Sequence, residues 1–338
     1  MGRSLKVAIV GATGLVGREL LRVLEERRFP VADLRLLATA RSAGTVLTFR
    51  GQGYRVEETS PASFAGADLV FISVSSQVSR ELVPLAAQAG AVVIDDSKAW
   101  RLEPHVPLVV PEVNADALSG HRGIIATPNC EVVPLALCLW PLHRHNPLRR
   151  LIVDTYQSVS GSGWAAVAEL KEQARAALEG REWAPQVYPH PIAFNVIPQV
   201  EPFGEDGYTR EEATIVQETR KVLGEPELAI SATCVRVPVL VGHSLAVHAQ
   251  FAAPFDPHQA RELLRQAPGV KVVDEPAQAL YPTPLQAAGQ DLCLVGRIRR
   301  DSSCREGLAL WLACDNLRKG AALNLVQIAE ELLSRNLI

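Results

Sequence analysis

The stretch Leu5-Lys6-Val7-Ala8-Ile9-Val10-Gly11-Ala12-Thr13-Gly14-Leu15-Val16-Gly17 decides the fold of this 338-residue chain. Its apolar first half is typical of a buried parallel strand, and apolar residues at helical spacing follow it. Three glycines between a strand and a helix form a variant of the dinucleotide fingerprint, in which the backbone approaches a pyrophosphate closely. The alternative is a purely structural strand-to-helix turn. The predicted cofactor contacts in this stretch are Gly11, Thr13, Gly14, Leu15, Val16 and Gly17.

The end of the next predicted strand, Leu34–Ala38, indicates which cofactor binds. No acidic residue follows it to hold a ribose 2′-hydroxyl; Thr39, Arg41 and Ser42 come instead. A cation with hydroxyls suits a 2′-phosphate, which favours NADP over NAD. The alternative is a solvated loop arginine.

The order of predicted elements indicates two domains. Strands at 68–73 and 91–95, with a helix at 76–89 between them, continue the alternation of a doubly wound α/β domain over 1–127. Residues 128–315 read as strands in mostly antiparallel order with helices between them, which predicts an α+β substrate domain. A terminal segment, 316–338, carries a helix that is expected to complete the first domain.

Composition excludes several classes of function. The formal net charge of −3 gives no reason to expect nucleic acid or a membrane surface as partner. The six cysteines form no CxxC pair and no ligand spacing, so no metal is expected and a reduced, cytoplasmic protein is the simplest interpretation. The chain begins almost directly with a strand, so we expect no signal peptide, and no apolar run approaches the ~20 residues of a membrane span.

Cys130 is the candidate nucleophile. It follows Pro128 and Asn129 and precedes an apolar run, so Asn129 is the expected helix N-cap. A thiol near a helix N-terminus gains thiolate character from the unpaired N–H groups and the helix dipole. The alternative is a small buried hydrophobe.

Three further residues suggest a site around this cysteine. Gln157 follows a strand and is placed to donate a hydrogen bond to a reacting carbonyl, and His243 lies beside a glycine where a strand begins, as a general acid or base would. Arg236 lies within an apolar strand, where a carboxylate in the protein or in a ligand would justify its burial. Taken alone, the glutamine is equally compatible with a loop residue that hydrogen-bonds to its own backbone, and the histidine is equally compatible with a solvated turn residue.

Several segments together resemble the aspartate-β-semialdehyde dehydrogenase family, in family order over essentially the whole chain. They are 11–17 (GATGLVG), 41–44 (RSAG), 107–114 (PLVVPEVN), 128–130 (PNC), 155–161 (TYQSVSG), 231–238 (SATCVRVP), 242–244 (GHS) and 315–324 (DNLRKGAALN). The resemblance implies a glyceraldehyde-3-phosphate dehydrogenase-like architecture whose second domain also dimerises, giving a homodimer or a dimer of dimers.

The resemblance also implies the reaction. It is the NADP-linked reduction of β-aspartyl phosphate to aspartate semialdehyde with release of phosphate, in the biosynthesis of lysine, threonine and methionine. Cys130 would form a thioester, His243 would be the acid/base and Gln157 would orient the acyl group. The other implied contacts are Arg236 and Glu211 for the amino-acid substrate, Arg101 and Asn129 for phosphate, and Ser160, Gly161 and Asn316 for the nicotinamide.

Three departures from the family, at four positions, lie near the expected phosphate. Glu131 and Val132 follow the nucleophile in place of Ser or Thr, Thr214 stands where the family usually has a lysine, and Lys98 replaces a serine. A lost cation and a gained carboxylate both oppose phosphate binding. Lys98 would compensate by taking over the role of the missing cation or by pairing with Glu131. Otherwise the chain is a paralogue with another acyl donor or semialdehyde, or a weakly active nucleotide-binding paralogue.

Overall fold

The computed structural model describes residues 4–338 and divides the chain into two compact units. One unit comprises Met1–Asn129 and Ala321–Ile338, and the other comprises Cys130–Gly320. The change of unit therefore falls between Asn129 and Cys130, two residues beyond the expected boundary at 127. Within the described part of the chain, no helix is long and apolar enough to cross a membrane.

The first unit is a doubly wound α/β domain. Its strands are β1 (Leu5–Val10), β2 (Val31–Ala38), β3 (Val46–Phe49), β4 (Gln52–Arg55), β5 (Glu57–Glu58), β6 (Leu69–Ile72), β7 (Val92–Asp95) and β8 (Ile124–Ala126). Its helices are α1 (Leu15–Glu26), α2 (Ser76–Gln88), α3 (Pro111–Asn114) and α9 (Leu323–Ser334). Six strands form a parallel sheet in the order β5-β2-β1-β6-β7-β8, and β3 and β4 form a separate hairpin that the sequence did not predict.

Helices pack on both faces of this sheet, and successive side chains of the central strand β1 point to opposite faces. Val7 and Ile9 of β1 belong to the apolar core that includes α1 and α9, whereas Ala8 and Val10 belong to the core that includes α2. The last helix is tied to the same unit by Asn324, whose Nδ2 donates to the carbonyl oxygen of Val109 at 2.9 Å. The predicted fold class of this domain is confirmed.

The second unit is built on a mixed sheet. Its strands are β9 (Leu148–Gln157), β10 (Ala229–Arg236), β11 (His243–Phe251), β12 (Val270–Val272), β13 (Cys293–Arg300) and β14 (Gly307–Cys314). Its helices are α4 (Val132–His145), α5 (Trp164–Leu178), α6 (Arg210–Leu223), α7 (Pro257–Gln266) and α8 (Pro284–Ala287). The order is β10-β9-β11-β14-β13-β12, with parallel pairs at both edges and antiparallel pairs in the centre, which confirms the α+β interpretation.

The start of α4 corrects one expectation. The N-cap is Glu131 rather than Asn129, and its side chain makes no capping hydrogen bond. Cys130 therefore precedes the cap and lies just outside the helix. The long apolar run is still the reason the helix forms, because its residues are almost continuously buried.

Candidate active site

Strand register in the second unit gathers the site at one end of the sheet. Gln157 and Arg236 are partners at the carboxyl ends of the parallel strands β9 and β10. The antiparallel neighbour β11 begins at the same end with His243. Three residues that are far apart in the sequence thus lie at one edge of the sheet, because β9 and β10 end there and β11 begins there.

Backbone groups of Ser158 hold His243 in one tautomer. The Ser158 N–H donates to Nδ1 of the imidazole at 2.9 Å, and the ring is 0% exposed. Because Nδ1 accepts this hydrogen bond, the neutral ring carries its proton on Nε2. Burial, and secondarily the charge of Arg236, lower the pKa of His243 well below its usual value, so the ring is neutral at physiological pH.

Arg236 is a buried guanidinium directed into the same cluster. It is 5% exposed, and its Nη1 donates to the Ser158 carbonyl oxygen at 2.8 Å. Its Nε is buried without a hydrogen-bond partner among the described residues. A buried guanidinium with an unused donor suits a ligand carboxylate, which accepts two parallel hydrogen bonds.

Two carboxyl groups lie in this cluster. Glu211, 4% exposed in the first turn of α6, accepts a hydrogen bond from Gln157 Nε2 at 3.3 Å. Glu131 is 0% exposed, and its Oε1 lies 3.9 Å from His243 Nε2. Burial first, and the charge of Glu211 second, raise the pKa of Glu131 well above its usual value, while Arg236 opposes the shift.

Cys130 is half-buried and immediately precedes Glu131. Gly320 lies against it: a Cβ added at Gly320 would be 3.1 Å from the Cys130 Cβ. Cys130 immediately precedes the N-cap of α4, and anions are generally stabilised near a helix N-terminus. Among residues 4–338, no group of three His, Cys, Asp or Glu side chains is arranged to hold a metal ion.

Asn316 ties together the loop beside these residues. Its Oδ1 accepts hydrogen bonds from Ser158 Oγ at 3.2 Å, Ser160 Oγ at 3.0 Å and the Gly242 N–H at 2.9 Å. Gly161 lies so close to the cluster that a Cβ there would be 3.1 Å from Arg236 Nη1 and 3.2 Å from His243 Nε2. Of the residues expected near the nicotinamide, Gly161 therefore lies against Arg236 and His243, and Ser160 and Asn316 are hydrogen-bonded to Ser158.

The first unit contains the remaining candidates, and its glycine turn fits a dinucleotide. Gly11 has φ +84°, and a Cβ there would be 2.1 Å from the Ser73 carbonyl oxygen; a Cβ at Gly17 would be 2.3 Å from the Gly11 carbonyl oxygen. Gly14 is the N-cap of α1, so free helix N–H groups face outward where a pyrophosphate would bind. Thr13, Leu15 and Val16 lie in the same turn and first helical turn.

The turn after β2 lies beside this glycine turn. The Gly11 N–H donates to the Leu37 carbonyl oxygen at 2.9 Å, so Thr39, Arg41 and Ser42 follow a neighbouring strand end. Arg101 and Asn129 are buried elsewhere in the first unit, where Arg101 Nη2 donates to the Asp96 carbonyl oxygen at 2.8 Å.

Comparison with known proteins decides the family. Residues 6–121 match the semialdehyde dehydrogenase NAD-binding domain, and residues 139–319 match the semialdehyde dehydrogenase dimerisation domain. The aspartate-semialdehyde dehydrogenase of Synechocystis sp. is 47% identical over 99% of both chains. The chain belongs to the aspartate-semialdehyde dehydrogenase family. The resemblance seen in the sequence is thereby confirmed.

Solved structures of this family have the same architecture. Aspartate semialdehyde dehydrogenase II from Vibrio cholerae, complexed with ASA, has a TM-score of 0.96 and 42% identity, covering 98% of this chain and 99% of that one. The Candida albicans enzyme with NADP has a TM-score of 0.78 and 25% identity, covering 99% of this chain and 100% of that one. The first unit is therefore an NAD(P)-binding domain, and the second belongs to a family of dimerisation domains.

Two features of the site were missed by reasoning from the sequence. Ser158 orients both His243 and Arg236 through its backbone, a role that leaves no signal in residue type. Glu131 was noted only as a departure beside the nucleophile, and its complete burial next to His243 emerges from the fold.

Proposed function

We propose that the chain catalyses the reversible NADP-dependent reduction of β-aspartyl phosphate to aspartate semialdehyde, with release of phosphate, through a thioester on Cys130. The observation that supports this most is the convergence of Arg236, Gln157 and His243 at the end of the sheet. A carboxylate clamp, an amide donor and an imidazole 3.9 Å from the side chain of Glu131, the residue that follows the thiol, suit acyl transfer to sulfur. The reaction would serve the biosynthesis of aspartate-family amino acids.

The amino-acid end of the substrate would be held by opposite charges. The buried Arg236 guanidinium would bind the α-carboxylate, and Glu211 would face the amino group. Gln157 already donates to Glu211, so it links the substrate clamp to the position of the reacting carbonyl. This arrangement would place the β-carbon of the substrate against the Cys130 sulfur.

His243 would act from Nε2. Its Nδ1 accepts a hydrogen bond from the Ser158 N–H, so the ring offers a proton rather than a lone pair to the reacting group. We infer that its Nε2–H donates a hydrogen bond that stabilises the oxyanion formed when the Cys130 thiolate attacks. Fixing the tautomer by a backbone hydrogen bond removes the cost of reorienting the ring.

The cofactor would be NADP, held by the glycine turn of the first unit, with Arg41 facing the 2′-phosphate. The nicotinamide supplies the hydride transfer when bound. Ser160, Gly161 and Asn316 would shape the loop beside it, and Arg101 and Asn129 would bind phosphate. We also propose that the protein is cytoplasmic and works as a homodimer or a dimer of dimers, without nucleic acid or membrane as partner.

The test is NADPH formation from aspartate semialdehyde with added phosphate or arsenate. We expect turnover that depends on the anion and is abolished in Cys130→Ala, whereas Cys304→Ala, a half-buried thiol on the β13–β14 turn, leaves it unchanged. Activity with NADP that survives Cys130→Ala would refute the thioester route.

A second candidate is a different acyl donor or semialdehyde. Glu131 is buried in the cluster, and Thr214, whose hydroxyl donates to the Arg210 carbonyl oxygen at 2.8 Å, offers no cation. The variant Lys98→Ala distinguishes the phosphate-dependent reaction from a reaction with a different donor. If Lys98 replaces the missing cation, the variant loses phosphate-dependent turnover far more than the remote Lys171→Ala does; equal effects favour the different donor.

A further inference from the structure

We propose that Glu131 activates a water molecule that hydrolyses the Cys130 thioester, so that the protein also oxidises aspartate semialdehyde to aspartate without phosphate. This inference rests on the proposed function, because it uses the same thioester. It differs in the acceptor of the acyl group, which is water instead of phosphate.

The position of the Glu131 side chain supports this role. Glu131 follows Cys130 directly and is 0% exposed, so its carboxyl group belongs to the interior of the site. Although it is the N-cap residue of α4, its side chain does not cap the helix. Its Oε1 lies 3.9 Å from His243 Nε2, and it is close enough to Arg236 and Glu211 to be influenced by both charges.

The tautomer of His243 makes its imidazole unsuitable as the base for this step. Attack by water on a thioester needs a group that accepts a proton. The Nδ1 lone pair of His243 accepts the Ser158 N–H at 2.9 Å, and Nε2 carries the proton of the neutral ring. The imidazole is therefore a donor, whereas the neighbouring carboxylate of Glu131 is able to accept a proton.

The charges around Glu131 also favour water as the acceptor of the acyl group. Burial and Glu211 raise the pKa of Glu131, so a smaller fraction of this group is ionised at a given pH, and the carboxylate that is present is a stronger base than an exposed one. The Glu211 carboxyl group adds negative charge to the same cluster. Neutral water enters such surroundings at a lower electrostatic cost than a phosphate anion does.

The chemical step balances without a further reagent. Oxidation of the aldehyde to the thioester is the reverse of the reduction proposed above, with NADP as oxidant. The water oxygen then bonds to the acyl carbon while its proton passes to the Glu131 carboxylate, and the C–S bond breaks. The Cys130 thiolate takes up the proton held by Glu131, which regenerates the base, and aspartate leaves after its new carboxyl group loses the other water proton to solvent.

The main experiment follows NADPH and aspartate together in phosphate-free buffer containing H₂¹⁸O, with the full-length protein. The wild type is expected to form one aspartate per NADPH, with ¹⁸O in the β-carboxylate. Glu131→Gln is expected to lose this activity about 100-fold or more, the usual effect of removing a general base. Turnover of the same variant with arsenate is the internal reference, and the ratio of phosphate-free to arsenate-dependent turnover is expected to fall by the same factor. Glu169→Gln, which alters another buried carboxylate whose oxygens accept hydrogen bonds from Gln173 and from the Gln186 and Val187 N–H groups, serves as the matched control.

A second measurement avoids the cofactor. The protein is acetylated on Cys130 with p-nitrophenyl acetate, and the lifetime of the acyl-enzyme is read by mass spectrometry. Both Glu131→Gln and Glu131→Ser are expected to prolong it about 100-fold. An unchanged lifetime in either correctly folded variant overturns the proposal.

The outcomes separate the two proposals. Wild-type protein that forms NADPH only with phosphate or arsenate overturns hydrolysis by Glu131 and leaves the proposed function standing. Wild-type protein that is inactive under both conditions overturns both. Phosphate-free oxidation that survives Glu131→Gln also overturns the role of Glu131.

Discussion

Replacing Gly161 with alanine would test whether this loop positions the catalytic groups. The added Cβ would lie 3.1 Å from Arg236 Nη1, 3.2 Å from His243 Nε2 and 3.3 Å from His243 Cε1. These contacts are too short, so the neighbours must move by a few tenths of an ångström. Misplacement of catalytic groups by 1 Å costs about 100-fold, so we expect about a 10-fold loss of kcat/KM, or about 1.4 kcal/mol in the barrier.

The free energy of unfolding should respond differently. Gly161 does not have a left-handed φ, so alanine fits the backbone, and the free energy of unfolding should change by less than about 1 kcal/mol. Gly120→Ala is the matched control, because Gly120 also lacks a left-handed φ and no atom lies within 4 Å of its added Cβ. Steady-state kinetics and urea unfolding measure both quantities. Full activity in Gly161→Ala would refute the positioning role.

Three other predictions follow from the same geometry. Arg236→Lys should raise KM for aspartate semialdehyde roughly 30-fold, because a lysine lacks the planar guanidinium and loses about 2 kcal/mol of charge-assisted hydrogen bonding. An unchanged KM would contradict the binding of the substrate carboxylate by Arg236. Because the pKa of His243 is lowered in the folded protein, the unfolded state binds more protons, and the free energy of unfolding should fall as the pH drops below about 6.5. Urea unfolding at several pH values should show a shallower fall in His243→Gln. Identical pH dependence in both proteins would contradict the lowered pKa. Arg41→Ala should raise KM for NADP about 10-fold but leave KM for NAD unchanged, and equal shifts would argue against a 2′-phosphate contact.

Much of the fold could be predicted because its signals are local. The apolar strand before Gly11 and the helical spacing after Gly17 specify a strand-turn-helix unit within about twenty residues. The hairpin of β3 and β4 and the short edge strand β12 were missed, because strands of three or four residues are too short to show a periodicity in the sequence. The N-cap at Glu131 was missed because residue preference at a cap is a weak guide when the following helix is buried.

The sequence by itself determined the chemical groups of the site and the family to which they belong. Cys130, Gln157, Arg236 and His243 are recognisable as a thiol, an amide, a guanidinium and an imidazole in suitable segments. Only the tertiary structure decided the tautomers and pKa values of the groups in the site. The tautomer of His243 depends on the Ser158 N–H, which is separated from it by 85 positions, and the raised pKa of Glu131 depends on burial beside Glu211. Such properties arise from the surroundings of a side chain, and those surroundings exist only once the strands and helices have come together.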